Sequence, residues 1–158
     1  NIKKGLLNFK GVQRRFNKVF TYNGIEFYDD YAHHPTEIKV VLEGVNKVYQ
    51  NFDKVCIFQP HRISRLKDLR KEFSYAFKDA DTVILCPIYT AGEKIKLGFN
   101  YLKFAKEIIK NSKVNLFLVE NNNQLAKFIK KNMYGKKIVI GMGAGSISNW
   151  MRKIPQLI

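Results

Sequence analysis

Four short runs, residues 55–58, 82–86, 116–119 and 138–140, are almost wholly apolar and show no alternation. A strand with one wet face alternates apolar and polar side chains, whereas a strand without alternation needs cover on both faces. Between these runs lie segments with helical periodicity. Strands that alternate with helices build a parallel sheet with helices on each side. The pattern predicts an α/β fold, Rossmann-like and three-layered, around a mostly parallel sheet with right-handed crossovers.

The N-terminal side departs from that rhythm. Residues 16–22 alternate loosely, Asn23-Gly24 follows, and Ile25-Glu26-Phe27-Tyr28 resumes the apolar pattern. Asn-Gly between two such runs signals a type I′ turn, which needs positive φ at both central positions. An antiparallel hairpin is therefore expected beside the parallel strands. Downstream, Ile38, Val41, Leu42, Val45, Val48 and Tyr49 mark an amphipathic helix, with Pro35 in its first turn, where the missing N–H is harmless. Leu66, Leu69, Phe73, Ala76 and Phe77 mark a second helix, with Ser64 as its expected N-cap. Tyr101 to Ile109 and Leu125 to Ile129 carry two more, and a short last helix is expected over 146–152. No repeat or linker interrupts the pattern, so residues 1–158 read as a single domain.

The formal net charge is +15. Its lysines are spread over every helix and turn, amid many asparagines and isoleucines, rather than gathered into a stripe that would track a phosphate backbone. Nucleic acid is not expected as a partner. Cys56 and Cys86 sit inside apolar runs, which predicts buried free thiols and fits a reducing, cytoplasmic setting. No run approaches the roughly 20 apolar residues needed to cross a bilayer, so no membrane partner is expected. The start, Asn1-Ile2-Lys3-Lys4-Gly5-Leu6-Leu7, lacks the long apolar region and cleavage site of a secretory signal. It also lacks an obvious start residue, and the chain reads as a piece of a longer protein.

In an open α/β sheet, ligands gather at the carboxyl ends of the strands. Four polar loops stand there: Asp29-Asp30-Tyr31-Ala32-His33-His34, Gln59-Pro60-His61-Arg62-Ile63-Ser64-Arg65, Pro87-Ile88-Tyr89-Thr90-Ala91-Gly92-Glu93, and Gly141-Met142-Gly143-Ala144-Gly145. All three histidines lie in the first two. Arg62 and Arg65, at the mouth of a helix, supply planar donor forks suited to carboxylate or phosphate, and the helix N-terminus adds free N–H groups. The alternative is that both arginines are solvated or pair with Asp68 and Glu72. The Asp30, His33 and His34 set has the residue types of a zinc site. Pro35 and a helix follow at once, so the histidines lack the usual i, i+4 spacing and no metal is assigned. The glycine loop is not a dinucleotide fingerprint or a P-loop, and a close-packed strand-to-helix turn is the expected role. Arg14 and Arg15, taken alone, read as a solvated basic pair.

Taken together and in order, Gly11-Val12-Gln13-Arg14-Arg15-Phe16, the Asp29–Ile38 segment, Phe58 to Arg65, Tyr89 to Glu93 and Met142 to Gly145 resemble the motif series of the Mur ligase family. The match is closest to the branch that adds L-alanine, and it runs over nearly the whole chain. The resemblance implies the C-terminal domain of a three-domain ligase whose other two parts, a sugar-nucleotide domain and a P-loop domain, are missing here. Such enzymes use ATP and Mg²⁺ to convert the carboxylate of UDP-N-acetylmuramate to an acyl phosphate, which the amine of L-alanine then attacks. It further implies that Arg15 reaches the ATP phosphates and Asp30 the ribose. Tyr31, His33, His61, Arg62 and Arg65 would surround the incoming amino acid and substrate, with the two arginines on its carboxylate. Ala32 stands where some members carry Lys. No catalytic residue and no metal ligand is assigned within this piece, and by itself it is expected to be inactive. The related branch that recycles tripeptides onto the same sugar, and a stand-alone nucleotide or nucleic-acid module, are the alternatives.

Overall fold

The computed structural model describes residues 14–94 and 99–158. β1 (Asn17–Tyr22) and β2 (Ile25–Asp30) form the expected hairpin. Asn23 and Gly24 both take positive φ, at 50° and 75°, as a type I′ turn demands. The chain continues through α1 (Pro35–Val48), β3 (Asp53–Phe58), α2 (Ile63–Asp68), α3 (Arg70–Tyr75), β4 (Thr82–Leu85), α4 (Tyr101–Ser112), β5 (Asn115–Leu118), α5 (Asn122–Asn132), β6 (Lys137–Met142) and α6 (Ile147–Lys153). The six strands form one sheet in the order β1-β2-β6-β3-β4-β5. All neighbours are parallel except the β1–β2 pair.

The strands without alternation feed two cores. On β3, Cys56 and Phe58 enter one layer and Val55 and Ile57 the other. The first layer packs under α1, α2, α3 and α4 through Ile38, Leu42, Leu66, Phe73 and Phe104. The second packs under α5 and α6 through Leu125, Ile129, Ile147 and Met151. The three-layer reading therefore holds, because period-two geometry sends every second side chain of an all-apolar strand to the opposite face.

Three expectations need correction. β5 is apolar without alternation, yet it is not buried on both faces: Phe117 and Leu118 are 45% and 43% exposed. It is the edge strand, and Phe117 is covered only in part, by Phe128 at 4.8 Å between ring centroids. The second expected helix is two helices, broken at Leu69, whose φ and ψ are −115° and 24°. The break falls where α3 turns to run along α4. Arg70, its first residue, grips Glu107 of α4 with two hydrogen bonds of 2.6 and 3.0 Å, and Phe73 meets Phe104 edge-on. Ser64 is not the N-cap either; Arg62 holds that position with no side-chain cap of its own.

Candidate active site

The strand order decides which loops meet. β6, last in sequence, lies between β2 and β3, so the loops after β2, β6, β3 and β4 are neighbours along one carboxyl edge. Parallel pairing brings all four ends to the same side: Asp30 is level with Met142, Met142 with Phe58, and Phe58 with Leu85.

Asp30 ends β2 and is 8% exposed. One carboxylate oxygen accepts the Phe16 N–H at 2.8 Å and the other the Ala32 N–H at 2.8 Å. Burial holds its carboxyl above the usual carboxylate range and the neighbouring Asp29 pushes the same way, while these N–H groups and Arg15 act against them. Asp30 lies in a cleft of about 400 Å³ lined also by Arg15, Phe16, Tyr31, Thr36 and Val40. Arg15 is exposed at the rim. The Gly11-Val12-Gln13 part of that motif lies outside the described residues.

The two adjacent arginines have different surroundings. Arg14 is turned inward: it donates from Nη2 to the Gly143 carbonyl, sits 3.5 Å from Asp29 through Nε, and stacks over the Tyr31 ring at 4.9 Å. Its own carbonyl accepts the Tyr31 N–H at 2.7 Å. Arg14 thus ties the β2 and β6 loops together, and the reading of it as a solvated charge is wrong. A pair of arginines gave no signal of which one would turn in.

The two histidines also separate. His34 is the N-cap of α1: its Nδ1 accepts the Thr36 N–H at 3.3 Å, and Glu37 reaches back to the His34 N–H at 3.1 Å, completing a capping box. His33 faces the site. Its Nδ1 lies 2.9 Å from the Tyr31 carbonyl, which can only accept, so Nδ1 carries the proton and Nε2 is left as an acceptor.

His61 has the opposite arrangement. Arg65 Nη1 lies 3.2 Å from His61 Nδ1 and 2.6 Å from its carbonyl oxygen. A guanidinium can only donate, so Nδ1 accepts and the ring proton sits on Nε2. Burial lowers the His61 pKa, and Arg65, His33 and Arg62 lower it further by charge repulsion. Tyr31, His33, His61 and Tyr89 form a row of rings, with successive centroids 5.0, 5.8 and 5.5 Å apart. Tyr31 and Tyr89, at its two ends, are 45% and 41% exposed. Tyr89 lay in one of the four polar loops and in the motif series but was assigned no role of its own. Its signal was its place at the end of an apolar strand.

Arg62 and Arg65 do not pair with Asp68 or Glu72. Arg65 turns back to His61, as above. Arg62 is 3.5 Å from Glu93, a residue of the loop after β4. The expected open helix mouth is also occupied: Glu93 accepts the Ser64 N–H at 3.1 Å and the Ser64 hydroxyl at 2.5 Å.

The glycine loop is a packing device, as its spacing suggested. A Cβ on Gly143, whose φ is +149°, would come within 2.7 Å of the Gln59 carbonyl oxygen. A Cβ on Gly145 would collide with the Tyr89 ring and approach the Gln59 side-chain oxygen at 2.7 Å. Gln59, 3% exposed, accepts the Ile147 N–H at 2.9 Å and donates to Ser146 at 2.9 Å, so it caps α6 from the β3 loop.

Comparison with known proteins identifies the family and the fold. The family model described as "Mur ligase, glutamate ligase domain" matches residues 14–145. The chain is 72% identical over 157 residues to the UDP-N-acetylmuramate–L-alanine ligase of Pelagibacter ubique, covering 99% of this chain and 34% of that protein. It is 40% identical over 154 residues to the ligase of the same name from Caulobacter vibrioides, covering 98% and 33%. The crystal structure of UDP-N-acetylmuramate-alanine ligase from Thermotoga maritima superposes with a TM-score of 0.72 at 29% identity, over 97% of this chain and 31% of that one. A murein peptide ligase from Psychrobacter arcticus shares the fold, with a TM-score of 0.74 at 19% identity, over 98% and 32%. The chain spans about a third of the length of the curated relatives it matches. With its strand order, its carboxyl-edge loops and these matches in agreement, the chain belongs to the Mur ligase family, as its glutamate ligase domain.

Proposed function

We propose that this chain is the C-terminal part of a three-domain, ATP-dependent ligase that joins L-alanine to UDP-N-acetylmuramate in peptidoglycan synthesis. Residues 1–158 form one domain of it. One observation carries the assignment of sites: the Asp30–Arg15 cleft and the His61–Arg62–Arg65 cluster flank the same Tyr31-Ala32-His33 turn. A nucleotide in the cleft and an amino acid at the cluster would therefore lie side by side. The 72% identity to a ligase of that name supports the substrate choice.

In the reaction, a carboxylate oxygen of the muramic acid attacks the γ-phosphorus of ATP, and ADP leaves. The deprotonated nitrogen of L-alanine then attacks the acyl carbon, the bond to phosphate breaks, and inorganic phosphate departs with a proton. Within this domain, Asp30 accepts from the ribose hydroxyls and Arg15 meets the phosphates. Arg62 and Arg65 hold the alanine carboxylate, since guanidinium forks match it. The rings of Tyr31, His33 and His61 wall the space for a small side chain. Mg²⁺ would neutralise phosphate charge when bound. In the three-domain arrangement proposed here, the central domain would hold it for the most part. The protein works in the cytoplasm, where ATP is held. Both cysteines are free and buried, and no helix among the described residues is long and apolar enough to cross a membrane.

The test is ADP release by the full-length protein with UDP-N-acetylmuramate and either L-alanine or a tripeptide. Turnover with L-alanine is expected. Preference for the tripeptide would assign the chain to the recycling branch instead.

A further inference from the structure

We infer that Glu93 is the positioning residue of the amino-acid clamp, an inference that rests on the function proposed above. Glu93 belongs to the loop after β4, while the residues it holds belong to the loop after β3. Its carboxylate accepts the Ser64 N–H at 3.1 Å and the Ser64 hydroxyl at 2.5 Å, and it stands 3.5 Å from Arg62 Nε. These bonds hold its carboxyl below the usual carboxylate range. Four residues earlier in the same loop, Tyr89 stacks on His61. One loop therefore grips the His61–Arg65 segment at two points, one aromatic and one ionic.

The consequence is a division of labour at the anion site. α2 has no side-chain cap of its own, so its first N–H groups need an outside acceptor. Glu93 supplies one and so removes the helix mouth as a seat for a substrate carboxylate. It also engages Arg62 at Nε. The two terminal nitrogens of that guanidinium have no hydrogen-bond partner among the described residues, and they form the edge that can take a carboxylate in a bidentate pair. An exposed Glu–Arg pair contributes little by itself, because water screens it. The importance of Glu93 lies in fixing the plane of Arg62 relative to Arg65.

The experiment uses the full-length enzyme and its Glu93→Ala and Glu93→Gln variants. In Glu93→Ala the KM for L-alanine should rise about tenfold or more, as for loss of one charge-assisted contact, while the KM for ATP stays within about twofold. Glu93→Gln keeps an acceptor for Ser64 but loses the charge, and should fall between. Added sodium acetate should lower the raised KM of Glu93→Ala by refilling the vacated position, and should only compete with L-alanine in the unaltered enzyme. The inference is overturned by an unchanged KM for L-alanine, by an equal loss for ATP, or by no recovery with acetate. If the unaltered enzyme does not accept L-alanine, the proposed function fails. The same variants, assayed with the amino acid it does accept, then decide the role of Glu93.

Discussion

Arg65 reaches back one helical turn to His61, donating from Nη1 to its carbonyl oxygen at 2.6 Å and lying 3.2 Å from its ring Nδ1. The arginine proposed to hold the substrate carboxylate is thus also the group that sets the histidine beside it. Replacing Arg65 with Ala should raise the KM for L-alanine by roughly 10- to 150-fold, the equivalent of about 1.5–3 kcal/mol for a charge-assisted hydrogen bond. The KM for ATP should change by less than about twofold, because the nucleotide cleft is lined by other residues. Arg65→Lys should recover little, since an ammonium cannot reproduce the fork. Steady-state kinetics with each substrate varied in turn checks this, and an equal loss for ATP would refute the clamp.

The two facing histidines should show opposite tautomers. Nitrogen-15 NMR of labelled domain should find the proton of His33 on Nδ1 and that of His61 on Nε2, because one ring donates to a carbonyl and the other accepts from a guanidinium. In Arg65→Ala the His61 preference should relax.

The pH dependence of stability carries a definite sign at His61. Its folded pKa lies below the ordinary value of 6.5, through burial first and neighbouring cations next. Between the folded and unfolded pKa values the unfolded chain binds the extra proton, so stability rises with pH across that window. The contribution is complete above about 6.5 and is lost as the pH falls from there toward the folded value. Thermal unfolding of the domain and of His61→Gln, compared from neutral to mildly acidic pH, should show the unaltered domain losing more stability on acidification. Equal losses would contradict the lowered pKa.

Gly145→Ala should disturb the site through packing alone. The new Cβ meets the Tyr89 ring and the Gln59 side chain, both already engaged, so one must move. A cost of about 1–3 kcal/mol is expected from overpacking. The loss of Tyr89 stacking should also raise the KM for L-alanine. Denaturant melts and kinetics on the same variant measure both effects, and an unperturbed variant would mean that the loop has room the structure does not show.

The isolated domain should catalyse no measurable ligation and bind ATP weakly at best, because the residues proposed here contact the ribose and phosphates from one side only. Calorimetry with ATP and an ADP-release assay test this. Turnover by the fragment alone would overturn the three-domain reading.

Much of this protein was legible in its sequence for local reasons. The Asn23-Gly24 turn, the two-faced burial of β3 and β6, and the start of α1 at Pro35 all follow from residues close together in the chain. So did the position of the four polar loops after apolar strands. The partition of the arginines and histidines was not legible. Nothing in Arg14-Arg15 or His33-His34 says which member turns inward, because the deciding partners, the Gly143 carbonyl for Arg14 and the His61 ring beside His33, come from distant strands. Glu93 was missed for the same reason. Its target, Ser64, is 29 residues away and adjacent only because β3 and β4 pair in parallel. The sequence by itself determined the elements and their apolar faces, since periodicity and turn chemistry are short-range. Only the tertiary structure decided that β6 lies between β2 and β3, and strand order is what places these loops, and the charges they carry, against one another.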